Sequence, residues 1–132
     1  MKKEKIFVYG TLRKGFPLHT YLSDKARFIG KGTIGGRLYD LGTYPGVFSS
    51  EPGEVKGELY ELEDGSKHLN ILDQIEDFDP KNPESSLFIR ALTEVRLSDN
   101  KTIQAWAYFL PSKPPGARLI VDGDYQRRSD PD

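Results

Sequence analysis

The chain has 132 residues, 36% of them apolar and 30% charged, which fits one compact domain over residues 1–132 with a modest core and leaves no room for a second. Lys and Arg number 19 against 20 Asp and Glu, a net charge of -1, so the long-range attraction that drives phosphate-backbone binding is missing and nucleic acid is not the expected partner. Cysteine is absent, which excludes disulfide scaffolds, thiolate zinc sites and a cysteine nucleophile; His19 and His68, the two histidines, lack metal-ligand spacing, so no metal site is expected.

The start, Met1-Lys2-Lys3-Glu4-Lys5, is basic like the head of a signal peptide, but the apolar run behind it is broken by Gly10 and charged again at Arg13. It is too short for export or for spanning a bilayer, and a soluble cytoplasmic protein is expected. Ile6 to Tyr9 is a run of β-formers between charge and glycine and reads as a central, buried strand. It runs straight into Gly10-Thr11-Leu12-Arg13, a glycine turn that presents backbone amides and is able to hold an anion or a developing oxyanion. Thr11 and Arg13 are candidate polar anchors there.

A short helix is predicted over Leu18 to Asp24. Phe28 to Leu41 follows, glycine-rich and apolar, with alternation at Arg37 to Leu41. Thr43-Tyr44-Pro45-Gly46 has turn composition, and Val47-Phe48 resumes the extended chain. Glu54 to Leu62 alternates, with Val55, Gly57 and Leu59 on one face and Lys56, Glu58 and Tyr60 on the other, as a half-exposed strand does. Asp64-Gly65-Ser66 supplies a turn and a helix cap for a helix from Ser66 to about Phe78, the clearest in the chain. Phe78-Asp79-Pro80 ends it, and Lys81 to Ser86 reads as a mobile polar loop. Leu87 to Leu97 and Thr102 to Leu110 form a predicted hairpin across Ser98 to Lys101, with Phe88, Ile89, Val95, Trp106 and Phe109 supplying core. Pro111 to Gly116 is a proline-rich connector, and a charged tail starts at Gly123-Asp124-Tyr125.

Several strands at short spacing with one strong helix argue for an α+β domain whose sheet curls into a barrel, against alternating βαβ units. Neither a dinucleotide fingerprint nor a phosphate-binding Walker loop is present; Gly30-Lys31-Gly32-Thr33 has the wrong spacing.

The predicted helix holds one carboxylate at an unusual place. At about 100° per residue, Glu76 falls between Leu69 and Leu72 and borders the apolar stripe, while Asp73 and Asp77 lie farther round toward the polar side. An unpaired carboxylate pushed toward an apolar face is disfavoured in its charged form, which suits a general base working near neutral pH. The same residues also fit an ordinary glycine turn and a solvated helix-edge glutamate, and residue patterns alone leave both readings open.

Tyr9-Gly10-Thr11-Leu12 matches the strand-end signature of the gamma-glutamylcyclotransferase-like superfamily, and Leu72, Asp73, Glu76 and Phe78 match its second signature, with Asp77 where glycine is usual. The chain resembles that superfamily, the gamma-glutamylamine cyclotransferases included, over nearly its whole length. Gly36 to Leu41, Tyr44-Pro45-Gly46, Arg90, Trp106 to Tyr108 and Gly123 to Tyr125 agree more weakly. The resemblance implies a small mixed β-barrel flanked by helices, with Tyr9, Gly10, Thr11 and Leu12 lining a glutamyl pocket and Glu76 as catalytic acid/base. It implies a gamma-glutamyl amine or peptide as substrate, with 5-oxoproline and a free amine as products and no metal or organic cofactor. Asp77 should tolerate a helix-end conformation less well than glycine and should raise the Glu76 pKa further by like charge.

Two other functions remain open at this point. One is a catalytically silent member that binds a small ligand or a protein partner through the same cavity. The other is a barrel that stacks single-stranded nucleic acid on Tyr9, Phe28, Tyr39 and Phe88.

Overall fold

The computed structural model describes residues 4–16, 19–23, 26–42, 44–113 and 115–125. Strands β1 (Glu4–Val8), β2 (Ala26–Gly35), β3 (Arg37–Asp40), β4 (Pro45–Phe48), β5 (Glu54–Leu62), β6 (Ile89–Leu97), β7 (Thr102–Phe109) and β8 (Arg118–Leu119) are joined by helices α1 (Thr20–Ser23) and α2 (Gly65–Ile75). Five strands close into a barrel in the order β1-β5-β2-β6-β7, and β4-β3-β8 form a separate small sheet. The barrel is mixed: β1 runs antiparallel to β5 but parallel to β7, where Ile6 sits beside Trp106.

Strand β1 is buried on both faces, which is why its sequence is a continuous apolar run. Phe7 and Tyr9 point to the barrel interior with Ile34, Val55, Leu59, Val95, Ala105, Ala107 and Phe109. Ile6 and Val8 point outward into a second core with Leu62, Tyr108 and Phe88, closed by Leu69 and Leu72 of α2 and Leu22 of α1. The period-two alternation of the strand thus distributes one segment between two cores. Such packing fixes the end of β1, and the turn after it, against α2.

Four local expectations are corrected. Pro45 and Gly46 open strand β4, with Gly46 opposite Tyr39, and the turn is tighter: Leu41 N–H donates to Tyr44 O at 2.9 Å. Proline tolerates that place because a strand's first residue can lack a donor. The outer face of β5 is covered at Glu58 (7% exposed) and Tyr60 (5%), while Lys56 stays exposed, so the strand is half-exposed only over its first residues. Helix α2 stops at Ile75, three residues early, and Asp64 makes no side-chain cap bond. Residues 81–86 contain a 3-10 turn, Pro83–Ser85, and Ser86 is buried, its Oγ accepting from Asp79 N–H at 2.9 Å. The short helix before β2 is present over Thr20–Ser23, while Leu18 and Asp24 lie outside the described residues.

Candidate active site

The site begins where α2 ends. Glu76 caps the helix, and Asp77 behind it takes a left-handed backbone, φ 55°. Phe78 N–H donates to Asp73 O at 2.8 Å and Asp77 N–H to Gln74 O at 3.3 Å, the paired bonds of a Schellman ending. A glycine would occupy the left-handed position without strain, whereas an aspartate does so at an expense of about 1 kcal/mol. That ending turns the chain so that Glu76 faces away from the helix axis into a narrow cleft. Its walls are Phe7, Val8, Tyr9, Gly10, Thr11, Leu12, Pro45, Glu76 and Tyr108. The two segments that sequence singled out, 66 positions apart, line one space.

The turn after β1 is closed by Arg13 N–H donating to Gly10 O at 3.0 Å. Thr11 and Leu12 are its two central residues, so their N–H groups stand outside that bond. Gly10 is required by a neighbour: a Cβ there would come within 2.6 Å of Pro45 Cγ. The cleft's floor is tied by Tyr9, whose buried hydroxyl donates to Tyr108 O at 2.5 Å.

Among the described residues no cation pairs with the Glu76 carboxyl, and burial alone pushes its pKa up to about 7. The expected push from Asp77 is not among the causes; Asp77 is exposed, and its contribution is to the helix ending. Burial raises Tyr9 well above the usual phenol range, with the Glu76 charge adding to it. Burial, together with the hydrogen bond to Asp73, does the same for Tyr108, and both rings stay neutral donors.

Asp73 is where sequence reasoning was overturned. It does not lie on the polar side: it is 3% exposed, and Arg90 grips it through Nε at 2.8 Å and Nη2 at 3.2 Å while Tyr108 Oη donates at 2.7 Å. Arg90 in turn lies 4.5 Å over the Trp106 ring. The group clamps the last turn of α2 to β6 and β7, one turn before Glu76. Its traces in the sequence were the match of Asp73 to the second signature and the weaker agreement at Arg90 and Trp106.

Arg13 is also corrected as a substrate anchor. Its guanidinium is already engaged by Asp124 Oδ1 at 2.7 Å, Tyr125 O at 2.9 Å and Glu58 at 3.7 Å. Of the four rings considered as a stacking row, Tyr9, Tyr39 and Phe88 are buried and Phe28 alone is exposed, at 51%, so no such row exists. Among the described residues no group of His, Asp and Glu has the arrangement of a metal site. No helix among them is long and apolar enough to cross a membrane.

Residues 6–127 match the family described as gamma-glutamyl cyclotransferase, AIG2-like. The chain belongs to that family. It is 32% identical to the gamma-glutamylaminecyclotransferase of Bos taurus over 122 residues, covering 83% of this chain and 67% of the bovine one. Identity to the gamma-L-glutamyl-butirosin B gamma-glutamyl cyclotransferase of Niallia circulans is 35% over 104 residues, 78% of this chain and 64% of that one. In three dimensions it is similar to an AIG2-like protein from Mus musculus, with TM-score 0.79 and 27% identity over 96% of this chain and 90% of the mouse protein. The barrel flanked by helices is therefore the architecture of the gamma-glutamyl cyclotransferase family, to which the bovine and Niallia circulans cyclotransferases are similar in sequence.

Proposed function

We propose that the protein converts a gamma-glutamyl amine or peptide to 5-oxoproline and a free amine, with Glu76 as the acid/base. One observation carries the reading: the Glu76 carboxyl, unpaired and pushed up to about 7, shares a narrow cleft with the Tyr9 to Leu12 turn. In a gamma-glutamyl amide the α-amine lies one five-membered ring closure from the side-chain carbonyl, so the substrate supplies its own nucleophile. The absence of cysteine is then no obstacle. No electrons change hands and no external group is transferred, so the chemistry requires neither metal nor organic cofactor.

The steps follow from protons. Glu76 removes a proton from the α-ammonium, and the freed nitrogen attacks the γ-carbonyl carbon to form the ring C–N bond. Amide donors of the Thr11 and Leu12 turn hold the glutamyl group by its α-carboxylate, in ground and transition state alike. Glu76 returns that proton to the departing nitrogen as the original amide C–N bond breaks, then takes the second proton from the ring nitrogen and passes it to the released amine, leaving a neutral lactam and an ammonium ion. A carboxyl with a pKa near the working pH does both jobs, whereas an ordinary glutamate would be a weak base and rarely an acid. The open space, about 20 Å³, holds about one water molecule. A glutamyl group is larger than this space, so its binding requires the cleft walls to move apart.

The test is a panel of gamma-glutamyl amines and peptides read by mass spectrometry for 5-oxoproline, run with wild type and Glu76→Gln. Turnover by wild type alone supports the enzyme. Silence of both across the panel, with ligand still bound, would favour the non-catalytic binder.

A further inference from the structure

The glycine turn is held from its far side by the end of the chain. Lys56 N–H of β5 donates to Gly123 O at 2.7 Å, and Gly123 has φ 68° with Glu54 O so close that a Cβ would sit 2.0 Å from it. Only glycine allows the chain to be pressed this tightly onto β5. Asp124 and Tyr125, the next two residues, reach across to the turn: Arg13 Nη1 donates to Asp124 Oδ1 at 2.7 Å and to Tyr125 O at 2.9 Å, and the Tyr125 ring stacks on Phe16 at 5.5 Å. On the barrel side Glu58, itself buried, accepts Lys14 N–H at 3.0 Å and Tyr60 Oη at 2.9 Å and lies 3.7 Å from Arg13 Nε.

We propose that Arg13 is a positioning residue for the Gly10 to Leu12 cradle and that Gly123–Tyr125 is the strap that holds it. This rests on the cyclotransferase reading given above. Arg13 N–H closes the turn onto Gly10, so the side chain that the strap grips belongs to the residue that fixes the direction of the Thr11 and Leu12 amides. Arg13 faces Glu58 and Asp124 at once, so its charge is spent inside the protein, and its contribution to the substrate is geometric. The strap therefore governs how well the glutamyl group is bound. Proton transfer by Glu76, which stands on a different element, is left to the helix ending.

Asp124→Asn breaks the charged half of the strap while leaving Glu58 paired with Arg13. Amide exchange of Arg13 and Lys14 read by NMR should speed up by about tenfold, the equivalent of one charge-assisted hydrogen bond. Ala105 and Ala107, deep in the barrel, should keep their protection and certify the fold. With a gamma-glutamyl substrate KM should rise by about tenfold with kcat nearly unchanged, the signature of lost binding common to ground and transition states. Asp124→Glu, which retains the charge, should regain most of both. Unchanged exchange and KM in Asp124→Asn would overturn the strap, as would a fall in kcat at constant KM. The exchange arm reads the strap whether or not wild type turns over, so failure of the cyclotransferase reading is told apart from failure of this one.

Discussion

Two carboxyls stand at the end of α2, Asp73 in its last turn and Glu76 at its cap, and the protein treats them in opposite ways. Asp73 is surrounded by donors: a guanidinium on two of its oxygen positions, a phenol on one, and an indole stacked behind the guanidinium. Glu76 is only partly buried, without a counter-charge, and its pKa rises to about 7. A paired buried acid is a structural clamp, because removing it strands a cation; an unpaired one is held at the protein's expense and is useful only if its proton moves. The clamp sits next to the base because the base must be aimed. Arg90, by holding Asp73, fixes the turn from which Glu76 projects.

The largest expected effect bears on the unpaired acid. Glu76→Gln should lower kcat by about 10²- to 10⁴-fold, the usual contribution of a general acid/base, measured as 5-oxoproline release. For the paired acid the effect is on folding. Asp73→Ala should destabilise by about 3–5 kcal/mol in urea unfolding, since Arg90 and the Tyr108 hydroxyl are left buried without their acceptor. A loss under 1 kcal/mol would show that the two acids are not distinguished as described.

Stability against pH should separate them further. The folded-state pKa of Glu76 is raised from 4.5 to about 7, so between those values the native state holds a proton that the unfolded chain has lost. Stability therefore falls as pH rises through that window and levels off above it. The whole window amounts to about 3 kcal/mol, taking about 1.4 kcal/mol per unit. Glu76→Gln, which cannot ionise, should thus be more stable than wild type by up to about 3 kcal/mol at pH 8 and equal to it near pH 4.5. Asp77→Gly, the smallest change, relieves the left-handed position and should add about 1 kcal/mol with the pH dependence of turnover unaltered. A shifted pH profile in that variant would give Asp77 a role in setting the base.

What the sequence conveyed of this arrangement follows the range of the interactions. Strand alternation and helical spacing are local, and they placed β1, β5, the β6–β7 hairpin and the position of Glu76 beside the apolar stripe. The fate of Asp73 depended on Arg90, 17 residues later and on another element, and no local pattern says which polar residue finds a distant cation. Arg13 was misjudged for the same reason, as its partner Asp124 is 111 positions away. The outer face of β5 looked solvated because Glu58 and Lys56 are charged, yet the turn after β1 covers Glu58. Pro45-Gly46 had turn composition, yet both residues pair with β3 across the hairpin, at Asp40 and Tyr39.

The most direct test of the central claim is the pH dependence of kcat/KM for 5-oxoproline release. An acidic limb with its midpoint near 7, absent from whatever activity Glu76→Gln retains, is the result expected of an unpaired, partly buried base. A limb in the ordinary carboxylate range, or one that survives unchanged in Glu76→Gln, would contradict it.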